Sequence, residues 1–160
     1  MHNRQALILV TSVFAFAACN PFHREPVSEV SRDVNLNTRW RATLVSPASL
    51  AGAVQIKGTA SMQPGRNSEE TTVSLSISNA TPGGAHPWQA HRGQCGADEG
   101  VFGSAAAYKT LKIGDDGRAE ASAGIPMGTP ESGNYFVTVA ASAANPDVVV
   151  ACGNLAPPVH

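Results

Sequence analysis

From Thr38 onward, apolar and polar residues alternate in short runs broken by Gly, Pro or Asn, the two-residue period of half-buried strands. Trp40, Ala42 and Leu44 share one face of the first run, and Val54 and Ile56 share one face of the second. The third is the clearest, with Val73, Leu75 and Ile77 interleaved with serines. Pro64, Gly65 and Asn67, within Gln63–Ser68, predict a hairpin loop between the second and third strands. Thr81-Pro-Gly-Gly then ends the third strand. Further on, Tyr108–Ile113 and Arg118–Gly124 flank Gly114-Asp-Asp-Gly, a turn signal between two strands. Asn134–Ser142 and Asp147–Cys152 make a last pair, joined by the short turn Ala144-Asn-Pro. No long segment carries a helical stripe; the best candidate, Ala105–Ala107, sits beside Gly100 and Gly103. The pattern predicts an all-β domain, a Greek-key antiparallel barrel or sandwich of about eight strands.

The start of the chain follows a different pattern. Arg4 precedes an apolar run from Ala6 to Ala18, which reads residues 1–18 as an export signal. The run is shorter than the roughly 20 residues a bilayer span requires. Ala17-Ala18 before Cys19 resembles a bacterial lipobox, although Phe16 replaces the usual aliphatic residue. That resemblance implies lipidation of Cys19; the alternative is a plain secretory peptide that leaves Cys19 as a stray thiol. Asn20, in place of an Asp that would resemble an inner-membrane retention signal, favours the outer membrane, in the periplasm or at the cell surface. Residues 19–37 carry no sustained period and read as a lipid-anchored tether, leaving 38–160 as one domain. The formal net charge is −1 and no basic cluster exists, which argues against nucleic acid and against a polybasic membrane patch. Membrane contact then rests on the lipid alone.

The candidate chemistry lies in Gly83–Cys95, GGAHPWQAHRGQC, which holds two of the five histidines, a Trp and a Cys between glycines. Far downstream, the apolar run VVVACGNL ends in Cys152-Gly153. With Gly58, Val73–Gly83 and Gly114-Asp-Asp-Gly-Arg-Ala in that order, these motifs resemble the copper-zinc superoxide dismutase superfamily over roughly Ala42–Leu155. The resemblance implies a disulfide between Cys95 and Cys152, worth roughly 4 kcal/mol in the chain-entropy model. One lipidated Cys plus one disulfide accounts for all three cysteines and fits an oxidising compartment. Two metal-ligand thiols are the alternative, but no Cys-x-x-Cys spacing supports them.

Carried over residue by residue, the resemblance implies a depleted metal site. Pro82–His91 matches the family's metal strand with one residue inserted. His86 then takes the structural position, Trp88 the aromatic one and His91 the second copper position, while Gln89 stands where the first copper ligand belongs. An amide is a weaker, harder donor for copper than imidazole. Gly96–Ala107, where the family supplies a bridging His and zinc ligands, has no His and only Asp98 and Glu99, which read as a solvated loop tip. The penultimate strand, which should carry the last copper His, offers only Thr138 and alanines. Val149 replaces the Arg that guides an anionic substrate in the family.

Three functions follow as expectations. The first is a non-catalytic envelope lipoprotein with a superoxide-dismutase-like domain, binding an envelope protein or ligand. The second is a copper-binding protein or unorthodox dismutase with a reduced site at His91 and His86. The third is a chordin-like binding module, on the His-Pro-Trp and Cys pattern. On the bland reading, His86 and His91 hydrogen-bond backbone across the barrel and Trp88 is core. Met62 and Met127 are candidate soft copper donors but read better as packing. Asp115 and Asp116 read as turn residues rather than calcium ligands, and His23 and His160 as chance placements.

Overall fold

The computed structural model describes residues 38–50 and 55–158. The expected signal peptide, Cys19, the tether, His23, Val54 and His160 lie outside them. The strands are β1 (Trp40–Val45), β2 (Lys57–Pro64), β3 (Thr71–Ser78), β4 (Ala85–His86), β5 (Trp88–Gln94), β6 (Ala97–Val101), β7 (Leu111–Lys112), β8 (Ala119–Ile125), β9 (Tyr135–Ser142) and β10 (Asn145–Leu155). Eight form one curled antiparallel sheet in the order β6-β5-β9-β10-β1-β2-β3-β8, and β4 and β7 form a separate two-stranded ribbon. The expected all-β antiparallel architecture of about eight strands is present, and the described residues contain no α-helix. Ala105–Ala107 closes only a 3-10 turn, capped by the Ser104 side chain.

Alternation decides which side of each strand faces inward. Trp40, Ala42 and Leu44 of β1 and Val73, Leu75 and Ile77 of β3 are buried as their spacing predicts. Each such side chain contributes about 1.5–3 kcal/mol when withdrawn from water. Trp88 and Ala90 of β5 join Val137 and Val139 of β9 in the same core, so the curled sheet encloses a single apolar interior. The strand expected over Tyr108–Ile113 shortens to β7, because Tyr108 turns inward and donates its hydroxyl to the Phe102 carbonyl at 2.7 Å. The turn between β7 and β8 is the expected one: Asp116 Oδ1 accepts the Arg118 N–H at 3.0 Å.

Strand β9 breaks strict alternation, because Phe136 and Ala140 on its outer side are buried along with Val137 and Val139 on the inner side. On that face the β5–β6 hairpin lays its His91 ring against Phe136. Its tip carries Cys95, bonded to Cys152 of β10 across a Cα–Cα distance of 6.1 Å and a sequence separation of 57. The Cys95 N–H also donates to Asn154 Oδ1 at 2.8 Å, a second tie between hairpin tip and last strand.

Candidate functional site

Register places the candidate residues together. On the outer face Gln89 of β5 pairs with Thr138 of β9, and His91 pairs with Phe136. Thr138 in turn pairs with Cys152 of β10, which pairs with Val45 of β1. Gln89, His91, Thr138 and Val149 all line one open cleft of about 1100 Å³, with Asp98 at the hairpin and Asp147 at the β9–β10 end. The cleft is thus floored by the sheet and roofed on one side by the disulfide-held hairpin.

His91 is buried within it, its ring stacked on Phe136 with centroids 5.0 Å apart. Both oxygens of Asp98 lie 3.0 Å from His91 Nδ1. A carboxylate only accepts, so Nδ1 carries the proton, and in the neutral ring Nε2 is then the acceptor facing the Thr138 hydroxyl at 3.2 Å. The Gly100 N–H, 2.7 Å from Asp98 Oδ1, holds that carboxyl below its ordinary range; slight burial opposes the shift, and the His91 imidazole reinforces it.

The hairpin's backbone makes this contact possible. Between the His91–Val101 and Gly93–Asp98 pairs β6 carries one more residue than β5, a bulge that swings Asp98 over the imidazole. Gly93, at φ +98°, leaves room for the Ala97 carbonyl that a Cβ would strike. Asp98 therefore belongs to an edge strand, not to the solvated loop tip expected for it. Its role was missed in the sequence because it requires counting back from the two-residue turn Cys95-Gly96, which sets Gln94 opposite Ala97 and Gly93 opposite Asp98.

The remaining candidates are dispersed. His86 on β4 binds the Ala140 carbonyl through Nδ1 at 2.9 Å, the expected backbone role, and does not line the cleft. His91 differs from that expectation by bonding two side chains. Trp88 is core: its indole N–H donates to the Lys109 carbonyl at 2.8 Å, and its ring meets Tyr108 edge-on at 5.0 Å. Met62 is in the interior and Met127 is exposed, and neither reaches the cleft.

A copper or zinc ion needs several convergent donors. The cleft offers one imidazole, with both nitrogens already engaged. Among the described residues no group of three or more His, Cys, Asp or Glu side chains is gathered to hold a metal. The donor set does not fit either ion. The cleft wall instead sets hydroxyl, amide and carboxylate groups among Val45, Pro47, Pro87 and Val149. Comparison with protein-family models gives no match, and comparison with curated proteins gives none either.

Proposed function

We propose that this chain is an exported, lipid-anchored protein of the bacterial cell envelope, held to the outer membrane through Cys19. Its superoxide-dismutase-like domain has lost copper and zinc chemistry and uses the outer-face cleft for binding. One observation carries the reading. The first and second copper positions implied by the resemblance, Gln89 and His91, line one cleft with Thr138 of the penultimate strand, but together they supply a single imidazole that is already hydrogen-bonded on both sides. The Cys95–Cys152 bridge fits an oxidising compartment and a rigid, secreted scaffold.

Metal content tests this directly. The exported, oxidised protein is equilibrated with copper and zinc salts, desalted and assayed by elemental mass spectrometry. The expected result is a folded protein with far less than one metal ion per chain. Near-stoichiometric copper that disappears in His91→Ala would overturn it and return the copper-site reading, with a superoxide assay as the next step.

A further inference from the structure

The hydrogen bonds at His91 run in one direction, and it is the direction that nucleophilic catalysis needs. Asp98 accepts the Nδ1 proton at 3.0 Å, so Nε2 keeps its lone pair and receives the Thr138 hydroxyl at 3.2 Å. A hydroxyl, an imidazole that can take its proton and a carboxylate that fixes the tautomer are the nucleophile, base and orienting group of acyl transfer, a set recognised by geometry and not by order in the chain. Both spacings lie within the roughly 2.6–3.2 Å over which such groups hand on a proton. The three residues come from β9, β5 and β6, and all of them line the cleft. The Gly100 N–H holds Asp98 and stacking on Phe136 holds His91, so the array is set in the free protein. His86 is the internal contrast, since its Nδ1 meets only the Ala140 carbonyl and it does not line the cleft. Gln89 supplies the remaining part. It pairs directly with Thr138 across the β5–β9 ladder, lines the same cleft and carries an amide N–H that can donate to an oxygen gaining negative charge beside Thr138.

We propose that the cleft is an ester-hydrolysing site, with Thr138 as nucleophile, His91 as general base, Asp98 as a positioning residue and Gln89 as oxyanion donor. This goes beyond the binding proposed above. Thr138 Oγ1 bonds to the carbonyl carbon of the ester while its proton moves to His91 Nε2, and the carbonyl oxygen, now anionic, accepts from Gln89. The adduct collapses, the alcohol leaves with the proton from Nε2, and the acyl group stays on Thr138. Water, giving its proton to Nε2, then attacks the acyl carbon; the acid departs and Thr138 Oγ1 takes the proton back. The balance is ester plus water to acid plus alcohol. The lining holds no Lys or Arg, and Val45, Pro47, Pro87 and Val149 supply apolar surface, so the substrate class is a neutral, apolar carboxylic ester.

Two probes test the site in the exported, oxidised protein: p-nitrophenyl acetate, followed by nitrophenolate release, and diisopropyl fluorophosphate, which phosphorylates an activated hydroxyl and releases fluoride. The expected result is a nitrophenolate burst of about one per chain and a phosphoryl adduct that peptide mass spectrometry places on Thr138. Thr138→Ser should keep the adduct, while the isosteric Thr138→Val and His91→Gln should abolish it. Asp98→Ala, an exposed substitution, should slow labelling about a hundredfold and return the 15N shifts of the His91 ring to a mixture of tautomers, a change that lost stability alone would not produce. Ester hydrolysis that survives Thr138→Val would mean an imidazole acting alone and would overturn the nucleophile. No adduct on Thr138, or an adduct elsewhere, would overturn the site. None of these outcomes bears on metal content, which tests the proposed function separately.

Discussion

His91 illustrates how a side chain acquires its role from what faces it. His91 on β5 and His86 on β4 are five residues apart, yet His86 meets only a backbone carbonyl while His91 meets a carboxylate and a hydroxyl. The difference traces to Gly93, whose positive φ admits the bulge that carries Asp98 into place. Gly93→Ala should therefore destabilise the fold by about 1–3 kcal/mol, because an L side chain is strained at that φ and its Cβ would strike the Ala97 carbonyl. A urea midpoint measured for both proteins checks this, and an unchanged midpoint would mean the bulge is not required. His91 was a candidate in the sequence while Asp98 read as a solvated loop tip, and their pairing was not legible, since it depends on a one-residue irregularity in the hairpin.

Among the elements, the β5–β6 hairpin is the one tied back by its tip to a strand distant in sequence. It is an edge hairpin whose residues from Gln94 to Gly100 are all exposed, and its tip is tied to β10 by the disulfide and by Asn154. Cutting the disulfide enlarges the unfolded ensemble by a loop of 57 residues, roughly 4 kcal/mol in the chain-entropy model. Reduction should lower the melting temperature by about 10 °C or more, followed by far-ultraviolet circular dichroism with and without reductant. A midpoint that does not move would show that the hairpin's other contacts close the loop unaided. The pairing itself came from a resemblance in motif order; the spacing of the cysteines did not require it, and two thiols alone left a metal role open.

For the molecule as a whole, the two edges of the sheet, β6 and β8, share no hydrogen-bonded ladder, and the segment that follows β6 reaches β8 across the seam between them. Phe102, just after β6, donates its N–H to the Ala90 carbonyl, Gly103 packs on Ile125 of β8, and Tyr108 bonds the Phe102 carbonyl. Tyr135 links the seam to β1 by edge-on contacts to Phe102 at 5.5 Å and Trp40 at 5.4 Å. Burial pushes the Tyr108 phenol up to about 12 from its ordinary 10.0. The neutral phenol is thus favoured by folding. Its contribution is complete below pH 10.0 and is lost as pH rises through about 12, because the unfolded chain gives up that proton first. Stability should accordingly fall more steeply between those values in the parent than in Tyr108→Phe, as measured by urea unfolding across that pH range. Equal slopes would place the phenol in contact with water.

The inward faces of β1 and β3, the turns at Gly65 and Gly114–Gly117, and the all-β class were legible in the chain because each rests on neighbours two to four residues apart. So was the cluster of unusual residues in Gly83–Cys95. The ends of β7, the second buried face of β9 and the placement of Asp98 were not legible, since each answers to a partner distant in sequence or to a bulge. The cleft is of the same kind. Gln89, Thr138, Cys152 and Val45 become neighbours only when four strands pair in a fixed register. Local alternation chose the strands, and long-range hydrogen bonding, completed by one covalent tie, chose which polar groups would share a wall.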